Sequence, residues 1–284
     1  MQHNVTLANG ITVPALGQGT WLLGENPDKR NQEIDGIRKG IEAGMTLLDT
    51  AEMYGNGLSE DMLGEAISPF ERERLFIVSK VLPENAGGEK MRESLVNSLS
   101  RIGTDYLDLY LYHWRGRYPL KESVSRLEEL KHDGLIRAWG VSNFDVDDME
   151  ELWSIPEGRH CLVNQVLYHT GSRGIEFSLL PWMREHNVAL MSYCPLAQGG
   201  VLRDGLISNP VLMQIASKHS ATVPEIILAW NIRDGHTIAI PRSSKAEHTL
   251  LNAASDNIIL DAEDLAIINR EFPAPDHKVR LDTE

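Results

Sequence analysis

The stretch Tyr106-Leu107-Asp108-Leu109-Tyr110-Leu111-Tyr112-His113-Trp114 decides how the rest of the chain is read. Leu107, Leu109, Leu111 and His113 share one face of an extended segment, so an imidazole ends a row of leucines. Upstream, Phe76-Ile77-Val78-Ser79-Lys80 does the same, with Phe76, Val78 and Lys80 on one face. Before it, Leu47-Leu48-Asp49-Thr50-Ala51-Glu52-Met53-Tyr54-Gly55-Asn56 ends in an acid, and a phenol follows five positions later. Three successive apolar strands that each close on a titratable group predict one polar site at one edge of a sheet.

Working outward, eight short runs rich in Val, Ile, Leu and Tyr read as strands: 16–20, 46–51, 75–81, 106–113, 136–142, 162–168, 189–195 and 237–241. Helix-like periodicity separates them. Met91, Leu95, Leu99 and Ile102 recur at spacings of three or four, as do Val124, Leu127 and Leu130. Thr222-Val223-Pro224-Glu225 and Ser244-Lys245-Ala246-Glu247 carry the capping-box pattern that opens a helix. Strands apolar throughout and alternating with helices predict a parallel sheet whose outer face the helices cover.

An open doubly wound sheet satisfies that alternation too, but three features favour a closed (β/α)8 TIM barrel. Eight units within 284 residues suit a barrel, which runs to about 250 residues. Gly17-Gln18-Gly19 runs on into Thr20-Trp21-Leu22, so the Gly-x-Gly-x-x-Gly dinucleotide fingerprint fails. The polar residues of interest also fall at the C-terminal ends of several strands, where barrel sites are built. Val5-Thr6-Leu7 and Ile11-Thr12-Val13 flank Asn9-Gly10, which predicts an N-terminal β-hairpin plugging the bottom. Two periodic segments, 210–218 and 262–272, exceed the eightfold count and predict two additional helices. Residues 1–284 are read as a single domain, with no linker, low-complexity tract or repeat.

Composition excludes several classes. Hydrophobic residues at 42% and charged ones at 24% are ordinary for a globular chain. A net charge of -14 disfavours nucleic acid, whose phosphates must be neutralised by Lys and Arg. No apolar run approaches the roughly 20 residues that span a bilayer, so no membrane partner is expected. The N-terminus lacks a basic stretch followed by an apolar one, and only Cys161 and Cys194 occur, so a cytoplasmic location is expected. No metal-ligand spacing of the His-Glu-x-x-His, Cys-x-x-Cys or EF-hand kind is present, and no metal is expected. A monomer is expected.

Asp49, Tyr54, Lys80 and His113 together form a proton-donating group suited to carbonyl reduction. Hydride addition to a carbonyl carbon builds negative charge on oxygen, which requires a proton or donors aimed at it. Tyr54 is expected to give the proton, with the Lys80 ammonium lowering its pKa and Asp49 holding Lys80 charged. His113 is expected to orient the substrate oxygen. A single Asp–Lys pair is commonly just an ion pair, but four such groups at convergent strand ends argue for a site.

At these residues the chain resembles the aldo-keto reductase superfamily. Asp49 to Asn56, Ser79-Lys80-Val81 and Leu111-Tyr112-His113-Trp114 are similar to its tetrad segments. The likeness continues through Gly140-Val141-Ser142-Asn143-Phe144, Asn164-Gln165, Ser192-Tyr193-Cys194-Pro195-Leu196 and Ile240-Pro241-Arg242-Ser243. The resemblance implies Tyr54 as general acid and NADPH across the barrel mouth. It implies Ser142, Asn143 and Gln165 on the carboxamide, and Tyr193 stacked on the nicotinamide. Thr20 and Leu196 would line the cofactor cleft, Arg242 and Ser243 would meet the 2'-phosphate, and Asn252 would approach the adenine. The last strand's end at the opening of a helix suits a phosphate on physical grounds as well.

One departure concerns His248, which stands where the family usually carries a second arginine, and implies a looser hold on the 2'-phosphate. Trp21 and Trp114 are expected to wall the substrate pocket. Arg115 and Arg117 are candidates to attract a carboxylate or a dicarbonyl, and Cys194 is read as a buried thiol. The expected activity is NADPH-dependent reduction of aldehydes and small dicarbonyls, methylglyoxal among them, by resemblance to bacterial family members. Two rival readings share some of these features: a cofactor-sensing subunit of the same fold, as in potassium-channel β subunits, and a Schiff-base aldolase. An Asp49 that keeps Lys80 charged argues against the aldolase.

Overall fold

Val78 pairs with Leu109 and Lys80 with Leu111 in the parallel register of β5 (Phe76–Val81) and β6 (Leu107–Tyr112). The computed structural model describes residues 3–197 and 200–283, and these two strands lie at the middle of its sheet. On one side follow β4 (Leu47–Asp49) and β3 (Gln18–Gly19). On the other follow β7 (Ile136–Ser142), β8 (Val163–Leu167), β9 (Ala189–Tyr193) and β10 (Thr237–Ala239). The order is sequential, so each strand joins its neighbour through a helical crossover.

The sheet closes on itself. Gly17 N donates to Ala239 O at 2.8 Å, Ala239 N to Ala15 O at 2.8 Å, and Gly19 N to Pro241 O at 3.1 Å. The two glycines that fail as a dinucleotide fingerprint make this seam possible. A Cβ at Gly17 would stand 2.6 Å from Leu47 Cδ2, and one at Gly19 3.0 Å from the Ile240 carbonyl oxygen. Below the seam, β1 (Asn4–Thr6) pairs antiparallel with β2 (Thr12–Pro14). Val5, Leu7 and Val13 of this hairpin are buried with Leu47, Phe76 and Val78 of the barrel interior, so it plugs the bottom as the sequence predicts.

Eight helices follow the strands in turn: α1 (Arg30–Glu42), α2 (Leu58–Ile67), α3 (Lys90–Ile102), α4 (Leu120–His132), α5 (Val146–Ser154), α6 (Leu179–Glu185), then, past two others, α9 (Val223–Asn231) and α10 (Ala246–Ala254). Their apolar stripes meet the outer face of the sheet. Leu95 and Leu99 of α3 and Leu127 of α4 are buried in the layer that holds Ile77, Tyr110 and Tyr112. Leu109 and Leu111 belong to the inner layer. Leu107, at the foot of the strand, departs from that parity and packs with the outer layer.

The two additional helices are α8 (Pro210–Lys218) and α11 (Ala262–Glu271). A third, α7 (Gly200–Ile207), was not anticipated; its span is too short for a periodic stripe. The capping box at Thr222 and Glu225 forms, and such a cap contributes about 1 kcal/mol. The one expected at Ser244 does not. Ser243 Oγ instead donates to Lys245 O and accepts from Lys245 N, and α10 starts one residue later with Lys245 as its N-cap. Among the described residues no helix is long and apolar enough to cross a membrane.

Candidate active site

Asp49 is the last residue of β4, Lys80 the fifth of β5, and His113 the first past β6, so strand register brings all three to one rim. Tyr54 opens a tight turn over Tyr54–Gly57 that returns it to the same place. Lys80 is fully buried, and its three N–H bonds are all accounted for. Nζ donates to Asp49 Oδ2 at 2.7 Å, to the Thr50 carbonyl at 2.8 Å and to the Tyr54 hydroxyl oxygen at 3.1 Å. An ammonium offers three donors and no acceptor, so the Tyr54 oxygen accepts and its own proton points elsewhere.

Burial dominates the electrostatics. It pushes the Asp49 carboxyl up and draws the Lys80 ammonium down, while the attraction of each for the other opposes both shifts. Tyr54 corrects the sequence reading. Burial, with the charge of Asp49, holds its phenol well above the ordinary value rather than below it. Tyr54 is therefore a neutral phenol across the working pH range, which is the form a proton donor needs. His113 is held well below its ordinary value by burial and the nearby Lys80 charge, and is a neutral imidazole. Its Nδ1 is buried with no partner among the described residues. The Tyr54 and His113 rings meet edge to face, with centroids 6.0 Å apart.

The polar network extends across the barrel. Gln165 Nε2 donates to Asp49 Oδ1 at 2.8 Å, Ser142 Oγ to the Gln165 carbonyl at 2.9 Å, and Asn143 N to that same carbonyl at 2.9 Å. The Tyr193 hydroxyl donates to Asn143 Oδ1 at 2.9 Å. Asn143 has φ +57°, a left-handed backbone that Asn tolerates better than most residues. Leu22 (φ +63°) and Cys194 (φ +47°), at other loops around the mouth, share that strained geometry.

These groups border a cleft of about 700 Å³. Fourteen of the sixteen residues read from the sequence as tetrad, cofactor contacts or tryptophan walls line it: Trp21, Asp49, Tyr54, His113, Trp114, Ser142, Asn143, Gln165, Tyr193, Leu196, Arg242, Ser243, His248 and Asn252. Lys80 lies beneath the surface. Thr20 is the correction: it is fully buried behind the wall, its backbone N–H bound to the Asp49 carbonyl at 3.0 Å, while Gly19 and Trp21 on either side line the cleft.

Other expectations also change. Arg115 donates to Glu151 and to the Tyr118 carbonyl, and neither it nor Arg117 borders the cleft. Cys194 is not a buried thiol but half-buried and part of the lining. Sequence reasoning missed two cations, Arg203 of α7 and Lys245 at the N-cap of α10. The signal for Lys245 was present, a lysine three residues after Arg242 at a helix opening. Arg203 carried none, because its helix was not foreseen. Among the described lining residues Asp49 is the one carboxylate, and it is paired with Lys80.

A closed eight-stranded barrel with this Asp–Tyr–Lys–His group at its C-terminal rim defines a class, and the family comparison agrees. Residues 15–270 match the aldo/keto reductase family model, and the chain belongs to that family. It is similar to the methylglyoxal reductase YeaE of Escherichia coli, 46% identical over 99% of both chains. It is also similar to the glyoxal reductase of Bacillus subtilis, 36% identical over 97% of both. Among solved structures, an aldo/keto reductase from Klebsiella pneumoniae in complex with NADP and acetate superimposes with a TM-score of 0.97, at 47% identity and full coverage of both chains.

Proposed function

We propose that this chain reduces aldehydes and small dicarbonyls, of which methylglyoxal is the preferred representative, to alcohols with NADPH. The observation that carries the reading is the saturation of Lys80. With its three N–H groups on Asp49, Thr50 and Tyr54, the Tyr54 proton is left free for an oxygen in the cleft.

The residues present fit the cofactor. A chain of net charge -14 sets Arg203, Arg242 and Lys245 around one cleft, and none of the three is held in an ion pair among the described residues. Ser142, Asn143 and Gln165 would hold the carboxamide beside Tyr193, and Arg242, Ser243 and Lys245 would hold the 2'-phosphate. Bound there, NADPH supplies the hydride that a carbonyl carbon accepts.

The chain's own groups do the rest. His113, neutral and anchored beside Tyr54, orients the carbonyl oxygen. Tyr54 gives its proton to that oxygen as negative charge develops. Lys80, fixed by Asp49 and the Thr50 carbonyl, stabilises the phenolate left behind. Trp21 and Trp114 border the carbonyl end of the cleft and exclude water.

The names of the relatives support the substrate class, and the free Tyr54 proton favours turnover over a sensing role. The test is NADPH absorbance followed against a panel of aldehydes, dicarbonyls, ketones and sugars. Absence of turnover with every aldehyde and dicarbonyl would refute the reading.

A further inference from the structure

Behind Tyr54 and Lys80 lies a second ion pair, its carboxylate buried and its guanidinium half-buried, that the chemistry above does not use. Glu60, in the first turn of α2, is fully buried. Its Oε1 accepts from Ser79 Oγ at 2.6 Å, and its Oε2 from Arg101 Nε at 2.7 Å. Ser79 precedes Lys80 in β5, so its side chain leaves the opposite face of the strand. Arg101, in the last turn of α3, lies flat over Gly57, where an added Cβ would stand 2.7 Å from its Cδ and Nε. Gly57 closes the turn that Tyr54 opens, and its φ of +97° suits glycine alone. One ion pair therefore touches the strand that carries Lys80 and the turn that carries Tyr54.

We infer that the Glu60–Arg101 pair, tied to β5 through Ser79 and laid against the Tyr54–Gly57 turn, is a positioning device for the Tyr54–Lys80 contact. This rests on the proposed reduction chemistry. A buried ion pair adds little net stability over a well-packed apolar pair, so its effect is on geometry and charge. Arg101 sets the height of the turn and Ser79 the height of the strand, and the two heights together set the distance from Nζ to the phenol oxygen. The Glu60 carboxylate also acts with Asp49 against the burial that draws the proton off Lys80. Asp49, Tyr54 and His113 surround Lys80 on its own face of the strand and Glu60 acts on it from the other, while Arg101 and Tyr110 lie beside Glu60.

The test uses the full chain with Glu60→Gln, Glu60→Asp and Ser79→Ala. It reads kcat and KM for an aldehyde between pH 6 and 10, NADPH affinity by tryptophan fluorescence, thermal midpoint, and the nitrogen NMR titration of Lys80. Glu60→Gln should lower kcat about tenfold with KM and NADPH affinity within about twofold. The alkaline limb of kcat and the Lys80 titration should both move to lower pH, because a neighbouring negative charge is lost. Glu60→Asp should restore the limb, and Ser79→Ala should lower kcat with the limb in place. Unchanged kcat and titration in Glu60→Gln, or a loss that tracks thermal midpoint alone, would overturn the inference. If Glu60→Gln does not fold, unchanged kcat in Ser79→Ala overturns it. A wild-type chain without activity refutes the reduction chemistry separately, and the Lys80 titration still reads the charge effect.

Discussion

Lys80 Nζ donates to the Tyr54 hydroxyl oxygen at 3.1 Å, and this contact determines which way the Tyr54 proton can go. The acceptor side of the phenol is occupied, so its donor side serves the cleft. Replacing Tyr54 by Phe removes the proton and little volume. Tyr54→Phe should lower kcat by about 10²–10⁴-fold, the usual contribution of a positioned acid, with NADPH affinity nearly unchanged. A variant that keeps a tenth of wild-type turnover would show that another group gives the proton.

The alkaline limb of the rate should belong to Lys80, not Tyr54. Burial holds the phenol above its ordinary value and draws the ammonium below its own, so Lys80 loses its proton first as pH rises. Asp49→Asn removes the attraction that keeps Lys80 charged, and should shift that limb to lower pH while lowering kcat at neutral pH. Lys80→Met should do more harm. It abolishes the charge and leaves Asp49 buried and unpaired, a loss of about 3–5 kcal/mol of stability. Urea unfolding and pH–rate profiles of both variants check the ordering; a more damaged Asp49→Asn at neutral pH would reverse the roles.

Acid sensitivity should come from buried neutral histidines. His169 is drawn down to about 4 by burial, and its Nδ1 accepts from Gly171 N at 3.1 Å. His113 is depressed as well. Between the unfolded value near 6.5 and the folded one, the unfolded chain binds more protons. Stability is therefore present above pH 6.5 and is lost as pH falls through that window. At about 1.4 kcal/mol per unit, His169 alone accounts for roughly 3 kcal/mol. His169→Asn, whose Oδ1 can take the Gly171 N–H, should flatten the decline in urea midpoint between pH 6.5 and 4. An unchanged decline would assign the acid loss to other groups.

Much of this was legible because the barrel repeats one rule eight times. Ile136–Ser142 has the bounds the sequence predicts, since it is bracketed by turn residues, and Val124, Leu127 and Leu130 fall in one helix as their spacing predicts. The tetrad was legible because a titratable residue that ends an apolar strand is conspicuous. What escaped depends on long-range packing. No local pattern shows that Tyr54 sits in an environment dry enough to raise its pKa. None shows that Arg115 is taken up by Glu151, or that Thr20 turns behind the wall. The C-terminal segment also needed the structure. Ser172 Oγ donates to Asp282 at 2.5 Å and Lys278 contacts Asp145, so the segment is tied to the loops after β7 and β8. None of its described residues borders the cleft.

Cofactor choice is where the structure most alters the reading. From sequence, His248 in place of an arginine implies a looser hold on the 2'-phosphate. Lys245 now stands in the same cleft with its ammonium in no ion pair among the described residues, three positions from Arg242 and at the N-cap of α10. A helix N-terminus and two cations favour a phosphate. A charge-assisted bond contributes roughly 1.5–3 kcal/mol, or about a tenfold to hundredfold preference from Arg242 alone. Lys245 should add to it, so the ratio of kcat/KM for NADPH over NADH should reach about a hundredfold and change little between pH 6 and 8. Arg242→Ala and Lys245→Ala should each lower the ratio, and the double variant should bring it near unity. His248→Ala should lower the ratio less than either. The measurement is that ratio in wild type and all four variants, together with NADPH affinity by fluorescence. Equal use of NADH by the wild type would remove Arg242, Ser243 and Lys245 as a phosphate site. A ratio that survives the double variant and falls in His248→Ala would return the decisive contact to His248.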